Sequence, residues 1–134
     1  VLPTYERTDK FDRDRIQKKF QLNFLQFDIV DKTIIDLFAG SGALSLEAIS
    51  RGAKKVCLIE KNSIVFKSLE SNFKLLDNFQ YQLNNSDSII FLDKQNNNPF
   101  DLVFLDPPFN QNLIPVILEL LSQKNYLHYE SQIY

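Results

Sequence analysis

A length of 134 residues with 44% hydrophobic and 24% charged side chains fits one globular domain with a single core. The formal net charge of −2 excludes a protein that is basic overall, so any contact with nucleic acid has to come from a local patch. The single Cys57 excludes an internal disulfide, and no apolar run approaches the roughly 18 residues of a membrane helix, so we expect a cytoplasmic protein without a membrane segment.

Residues 1–30 are predicted to form a charged segment followed by an amphipathic helix. Between about residues 12 and 27, apolar side chains recur at helical spacing, namely Ile16, Phe20, Phe24 and Phe27. The cationic side chains of this region could contact phosphates or could equally form a solvated face; they are Arg7, Arg13, Arg15, Lys18 and Lys19. We expect the helix to pack on the domain that follows, over residues 31–134.

Beyond residue 31, short apolar runs alternate with helical patterns. Strands are predicted at Thr33–Phe38, Lys55–Glu60, Phe79–Leu83 and Phe100–Leu105, and helices at Ala43–Arg51, Ser63–Leu76, Asp87–Asp93 and Leu113–Gln123. This rhythm indicates parallel βαβ units, and therefore an α/β fold with a doubly wound, mostly parallel sheet. Residues 126–134 could open a further strand, and because few strands are visible we interpret the chain as a fragment of a longer protein.

Two of the three glycines, Gly40 and Gly42, stand one residue apart where the first strand turns into the first helix. In a doubly wound sheet the ligand binds beyond the carboxyl ends of the strands, and this first turn is the usual nucleotide site. Glycine allows a positive φ and lets a ligand approach the backbone without meeting a Cβ atom. The spacing therefore predicts a ligand against this turn; the alternative is a tight turn without one.

Acidic residues around the turn indicate the chemistry of that ligand. Asp36 opposes a pyrophosphate and suits a cation with an amino or sulfonium group, and Ser45 is a poor fit for the third small residue of a dinucleotide fingerprint. Glu60 ends the second strand, where it could accept hydrogen bonds from ribose hydroxyls. Asp87 could cap a helix, accept from an adenine amino group, or do both.

A second motif, Asp106-Pro107-Pro108-Phe109, follows the last apolar strand and is predicted to lie at the same edge of the sheet. The two prolines fix φ, remove two N–H donors and leave carbonyl groups free to accept. The Asp106 carboxylate and the Pro107 carbonyl could each take one hydrogen of a planar amino group, while Phe109 stacks on the ring that carries it. A proline-rich loop without a ligand is the alternative.

The run D-x-F-A-G-S-G-x-L-x-x-E-A over residues 36–48, with Ser50-Arg51-Gly52-Ala53, Glu60 and the sequence from Phe104 to Phe109, resembles S-adenosylmethionine-dependent methyltransferases that modify amino nitrogens. Within that class it is most similar to the bacterial small-subunit (16S) rRNA guanine-N2 methyltransferases, from about residue 14 to residue 134. The glycine run is quite specific to that family, whereas the D-P-P-F motif is shared with adenine and glutamine methyltransferases.

The resemblance implies a Rossmann-like class I methyltransferase fold, with S-adenosylmethionine as cofactor and no metal. It assigns cofactor binding to Asp36, Phe38, Gly40, Gly42, Glu60 and Asp87, and catalysis to Asp106, Pro107, Pro108 and Phe109. It also implies 16S rRNA or the small ribosomal subunit as partner, and we expect a monomer. Departures from the family are the charged insertion between Leu2-Pro3-Thr4 and Asp14-Arg15-Ile16-Gln17, the missing arginine-rich N-terminal hairpin and the missing last strands.

Three other functions stay open on the sequence. The chain could methylate another amino nitrogen, in DNA adenine or protein glutamine. It could be a non-catalytic homologue that holds the cofactor or RNA. It could also be a nicotinamide oxidoreductase, although Asp36 and Ser45 disfavour that reading.

Overall fold

The computed structural model describes residues 28–77, 79–107 and 112–134. Its strands are β1 (Thr33–Asp36), β2 (Lys55–Glu60), β3 (Gln80–Asn85), β4 (Phe100–Phe104) and β5 (Leu127–Ile133), and its helices are α1 (Ala43–Ser50), α2 (Ser63–Phe73), α3 (Ser88–Leu92) and α4 (Leu113–Gln123). The helix predicted over residues 12–27 lies outside the described residues. No helix in the described part of the chain is long and apolar enough to cross a membrane.

The five strands form one parallel sheet in the order β3-β2-β1-β4-β5. Successive strands are added on one side of β1, as β2 and β3, and then on its other side, as β4 and β5. The strand order therefore reverses between β1 and β4. In sheets of this kind, the crevice at the reversal point opens beyond the carboxyl ends of the strands and holds the ligand. The predicted doubly wound sheet is confirmed.

Alternating side chains of the strands supply two separate cores, one on each face of the sheet. On one face, Ile34 and Leu58 pack with Ala48 of α1 and with Leu69 and Phe73 of α2. On the other face the core combines Ile35, Ile59, Leu92 of α3, and Ile117 and Leu121 of α4. Because the sheet is buried on both faces at its centre, β1 and β2 are almost continuously apolar, as expected for parallel strands.

The bounds of three strands differ from the prediction: β1 and β4 end earlier, by two residues and by one, and β3 is displaced. β3 runs over Gln80–Asn85 instead of Phe79–Leu83; it is the edge strand beside β2, and half of its side chains face solvent. Its Asn84 and Asn85, residues that usually favour turns, continue the ladder opposite Ile59 and Glu60. The further strand considered for residues 126–134 is present as β5, which pairs in parallel with β4.

Candidate functional site

The glycine turn leaves β1 by hydrogen-bonding both neighbouring strands. Leu37 N donates to Phe104 O of β4 over 3.1 Å, and Ala39 N donates to Ile59 O of β2 over 3.0 Å. The regular strand therefore ends at Asp36, two residues before the predicted end. Both glycines have positive φ, +57° at Gly40 and +86° at Gly42, as the sequence predicts for this turn.

The two glycines serve different purposes. A Cβ atom at Gly40 would meet nothing within 4 Å, so this position is open towards the crevice. A Cβ atom at Gly42 would lie 2.6 Å from Leu69 Cδ1 and 2.6 Å from Phe73 Cε1 of helix α2. Gly42 is also the N-cap of α1, and its carbonyl accepts from Leu46 N. The small size of Gly42 is therefore required for the packing of α1 against α2, and the residue does not line the crevice.

Glu60, the last residue of β2, holds two loops together at the crevice. Its Oε1 accepts from Gly40 N over 2.8 Å, and its Oε2 accepts from Asn62 N over 2.9 Å. Asn62 in turn caps α2, because its Oδ1 accepts from Ile64 N and Val65 N. An ionised carboxylate has about four acceptor sites, so Glu60 keeps one free on each oxygen.

Asp87 is the N-cap of α3, one of the two roles that the sequence left open. Its Oδ1 accepts from Ile89 N and Ile90 N, at 2.9 and 3.1 Å. Its Oδ2 lies 3.5 Å from Lys61 Nζ, an exposed ion pair that contributes little to stability. The Oδ2 atom therefore remains available to a hydrogen-bond donor in the crevice.

Asp36 is buried beneath the turn, with 4% of its surface exposed. Its Oδ2 accepts from Ser45 Oγ over 2.7 Å, and Ser45 on α1 is fully buried. Burial raises the pKa of the Asp36 carboxyl from 3.8 to about 7; the hydrogen bonds from Ser45 and from the Phe38 backbone lower it, and the charges of Glu60 and Asp106 raise it. Asp36 does not line the crevice directly.

Asp106 follows β4 on the same edge, half-buried, and burial raises the pKa of its carboxyl. The strand end that carries it is fixed by Tyr134, the residue after β5, because Leu105 N donates to Tyr134 O over 2.9 Å and Tyr134 N donates to Val103 O over 2.8 Å. Pro107 is buried. The rest of the motif, Pro108 and Phe109, lies outside the described residues.

These elements surround a crevice of about 700 Å³, within the usual size range of small-molecule sites. Its described lining residues follow the ends of four strands or belong to α2, α3 and α4: Phe38, Gly40, Glu60, Lys61, Asn62, Val65, Asp87, Ser88, Asp106 and Leu113. Five predicted site residues are thus brought together, while Asp36 and Gly42 lie behind the wall. Among the described lining residues, three carboxylates and one cation, with Asp36 behind them, oppose a phosphate and favour a cationic ligand with hydroxyl and amino donors.

The sequence interpretation missed several lining residues and the partner of Asp36. Asn62 could have been found as a good N-cap residue directly before the second helical pattern, and Ser88 as the neighbour of Asp87. Ser88 Oγ donates to the Leu37 carbonyl and ties α3 to the turn. Val65 and Leu113 carry no signal beyond their helical pattern. Within the described ranges, no three His, Cys, Asp or Glu side chains are grouped so that they could hold a metal ion.

Comparison with known proteins shows that the chain is similar to bacterial proteins named as methyltransferases. It is 40% identical over 124 residues to ribosomal RNA small subunit methyltransferase D of Haemophilus influenzae, covering 90% of this chain and 64% of that protein. It is 39% identical over 121 residues to the protein of the same name from Escherichia coli K12, with 90% and 60% covered. The chain thus spans about six-tenths of the length of these curated relatives.

Solved structures of methyltransferases are also similar to this chain. The structure described as "Putative methyltransferase yhhF from Escherichia coli" matches with a TM-score of 0.79 and 35% identity, over 99% of this chain and 70% of that one. A Trypanosoma brucei PRMT1 enzyme-prozyme complex with AdoHcy matches with a TM-score of 0.68 at 15% identity, over 92% of this chain and 39% of that one, and shares the fold alone. The class I, Rossmann-like methyltransferase fold is confirmed.

The family model described as "Conserved hypothetical protein 95" matches residues 12–134, most of the chain. Together with the curated relatives, this match confirms the resemblance to bacterial small-subunit rRNA methyltransferases. The chain belongs to the Conserved hypothetical protein 95 family.

Proposed function

We propose that this chain forms the cofactor-binding and catalytic part of an S-adenosylmethionine-dependent methyltransferase that modifies the exocyclic N2 of a guanine in small-subunit (16S) rRNA. The observation that carries the proposal is the placement of Asp106 on the same crevice as Gly40, Glu60 and Asp87. Gly40, Glu60 and Asp87 suit the binding of a cofactor, and Asp106 suits the binding of an amino nitrogen beside it. The names of the curated relatives support the rRNA substrate.

The donors and acceptors of the crevice fit the proposed cofactor. The free acceptor sites of Glu60 would take ribose hydroxyls, and Asp87 Oδ2 would accept from the adenine amino group. The open backbone at Gly40 leaves space for close approach, and apolar Phe38 and Leu113 cover the remaining surface. When bound, the cofactor supplies a sulfonium methyl group as electrophile. A net negative wall favours that cation over a pyrophosphate, which argues against the nicotinamide alternative.

Asp106 and Pro107 would hold the target amino group. The Asp106 carboxylate would accept one of its hydrogens and the Pro107 carbonyl the other, which orients the nitrogen towards the methyl group. Phe109 is proposed to stack on the base, which would enter the site flipped or already unpaired. The amino nitrogen would bond to the methyl carbon as the bond from that carbon to sulfur breaks, which leaves the thioether S-adenosylhomocysteine, and the methylated nitrogen would lose one hydrogen as a proton to the Asp106 carboxylate or to water. Most of the rate enhancement of such a direct displacement would come from positioning.

A radiolabel assay tests this proposal. With S-adenosylmethionine carrying a tritiated methyl group, small ribosomal subunits should accept label and naked DNA should not. Asp106→Ala should lower the rate by about a hundredfold or more, because no side-chain oxygen then accepts a hydrogen of the target amino group. The matched control is Asp77→Ala, at an exposed carboxylate that does not line the crevice. Full methyl transfer by Asp106→Ala would show that the assigned role is wrong.

The position of the methyl group needs a second measurement. Mass-spectrometric mapping of modified guanines in 16S rRNA, with and without the gene, should show loss of a single N2-methylguanine. Label transferred to DNA adenine or to a glutamine side chain would favour the rival methyltransferases. Cofactor binding by calorimetry without any methylated product would favour the non-catalytic homologue.

A further inference from the structure

The Ser45–Asp36 pair is the most deeply buried polar contact beside the crevice in the described part of the chain. Ser45 is fully buried, Asp36 is 4% exposed, and the Oγ–Oδ2 distance is 2.7 Å. Ser45 is also the residue at which the glycine run departs from a dinucleotide fingerprint, where a third small residue would pack α1 on the strand. The Ser45 hydroxyl donates a hydrogen bond to Asp36, and a glycine or alanine at this position could not.

The contact makes the charge of Asp36 dependent on Ser45. Because burial disfavours the ionised carboxylate, donors directed at its oxygens are needed to keep the charge. The donors are Ser45 Oγ and the Phe38 backbone N–H. Glu60 at the end of β2 and Asp106 beyond β4 act in the opposite direction, and the buried Cys57 thiol of β2 carries no charge near neutral pH.

The negative charge of Asp36 behind the crevice wall changes the affinity for a ligand according to that ligand's own charge. S-adenosylmethionine carries a sulfonium cation that S-adenosylhomocysteine, its thioether product, lacks, while the two share the adenosine and amino-acid groups. An ionised Asp36 therefore stabilises the complex with the first ligand more than that with the second, since Coulomb attraction acts through a buried, weakly screened region.

We propose that Ser45 is a positioning residue through which the site distinguishes the sulfonium cofactor from its neutral product, because its hydroxyl fixes the Asp36 carboxylate behind the crevice wall. The inference rests on the proposed function, since it takes these two ligands as the natural pair. It adds a residue outside the crevice to the determinants of cofactor exchange. Exchange of the product for a new cofactor molecule after each turnover would be favoured by this difference in affinity.

Calorimetric titration of the purified chain with each ligand tests the inference. At neutral pH, Ser45→Ala should weaken binding of S-adenosylmethionine by roughly tenfold, equivalent to about 1.4 kcal/mol, and binding of S-adenosylhomocysteine by much less. Ser45→Cys, which keeps the volume with a weaker donor, should show a smaller loss of the same kind. The matched control is Ser50→Ala, an exposed serine on the same helix, which should leave both affinities unchanged.

The pH profile separates this role from a structural one. Well above pH 7, Asp36 ionises without help, so the selective loss in Ser45→Ala should shrink. Variant and wild type are compared with one ligand at one pH, so titration of the free ligand cancels. In an Asp36→Asn background, Ser45→Ala should no longer change the ratio of the two affinities.

Equal weakening of both ligands at every pH would overturn the inference and leave the proposed function standing. A wild-type chain that binds neither ligand would overturn both. If Ser45→Ala does not fold, the single variants Ser45→Cys and Asp36→Asn decide the matter, each compared with the wild type. An unchanged ratio of the two affinities in both variants refutes the inference, and a ratio shifted against S-adenosylmethionine supports it.

Discussion

Replacing Asp36 with Asn should stabilise the unliganded protein at alkaline pH and have little effect at acidic pH. Burial raises the pKa of this carboxyl from 3.8 to about 7, so the folded protein binds a proton more tightly than the unfolded chain does. The free energy of unfolding therefore decreases as the pH rises through this range. Each tenfold difference in proton affinity is worth about 1.4 kcal/mol, which gives a total of about 4 kcal/mol above pH 7.

The Asn variant avoids this destabilisation but has a smaller energetic cost of its own. An Asn side chain at this position can still accept from Ser45, but its amide N–H groups need acceptors in a space built for a carboxylate. An unsatisfied buried donor costs about 1–3 kcal/mol. We therefore expect a net stabilisation of about 1–3 kcal/mol near pH 8 and a net change near zero around pH 5.

Urea unfolding of both proteins across this pH range measures the effect. The diagnostic quantity is the difference in unfolding free energy between variant and wild type, which should increase with pH and level off above about 8. Asp77→Asn, at an exposed carboxylate, should give a flat difference. A difference for Asp36→Asn that stays constant with pH would refute the conclusion that this carboxyl titrates near neutrality in the folded state.

Substitutions at four further positions test the glycine turn and the loops that Glu60 holds beside it. Gly42→Ala should destabilise the fold by about 2–4 kcal/mol, because its Cβ would lie 2.6 Å from two side chains of α2 and the φ is +86°. Gly40→Ala has open space and should cost only about 1–2 kcal/mol from its positive φ, so equal urea midpoints for the two variants would contradict the assigned packing. Glu60→Gln should weaken S-adenosylhomocysteine binding about tenfold by calorimetry, because the amide cannot accept from both Gly40 N and Asn62 N; unchanged binding would exclude Glu60 as a ligand residue. Asn62→Ala should cost about 1 kcal/mol of unfolding free energy and Asn62→Asp much less, since only the acid retains an acceptor for the N-terminus of α2.

Much of the fold could be predicted from the sequence because local and global preferences agree. The boundaries of β2 and α4 were predicted without error, since an apolar run flanked by charges and an apolar stripe at helical spacing allow one interpretation each. The edge strand β3 was displaced by one to two residues, because Asn84 and Asn85 favour turns locally and are held in the strand by pairing with β2. Tertiary pairing of this kind leaves no mark in a single sequence.

The site could be predicted only in part, for a related reason. Motif spacing brought Gly40, Glu60 and Asp87 to one edge of the sheet, because the carboxyl ends of parallel strands meet there. The hydrogen bond between Ser45 and Asp36 joins residues nine positions apart on a helix and a strand, and depends on how α1 lies on the sheet. The requirement for glycine at position 42 also could not be resolved, since a ligand and a neighbouring helix both exclude a Cβ atom.

The glycine turn connects ligand binding to the stability of the core. The backbone N–H of Gly40 donates to Glu60, while Gly42, two residues later, is packed against Leu69 and Phe73 of α2. The N-terminus of α2 is capped by Asn62, whose own N–H is bound by the same Glu60 carboxylate. A ligand that donates to the free acceptor sites of Glu60 would therefore stabilise both the glycine turn at Gly40 and the N-terminus of α2 at Asn62. We expect cofactor binding to protect the amides of residues 40–42 and of the first turn of α2 from hydrogen exchange together, as one cooperative unit.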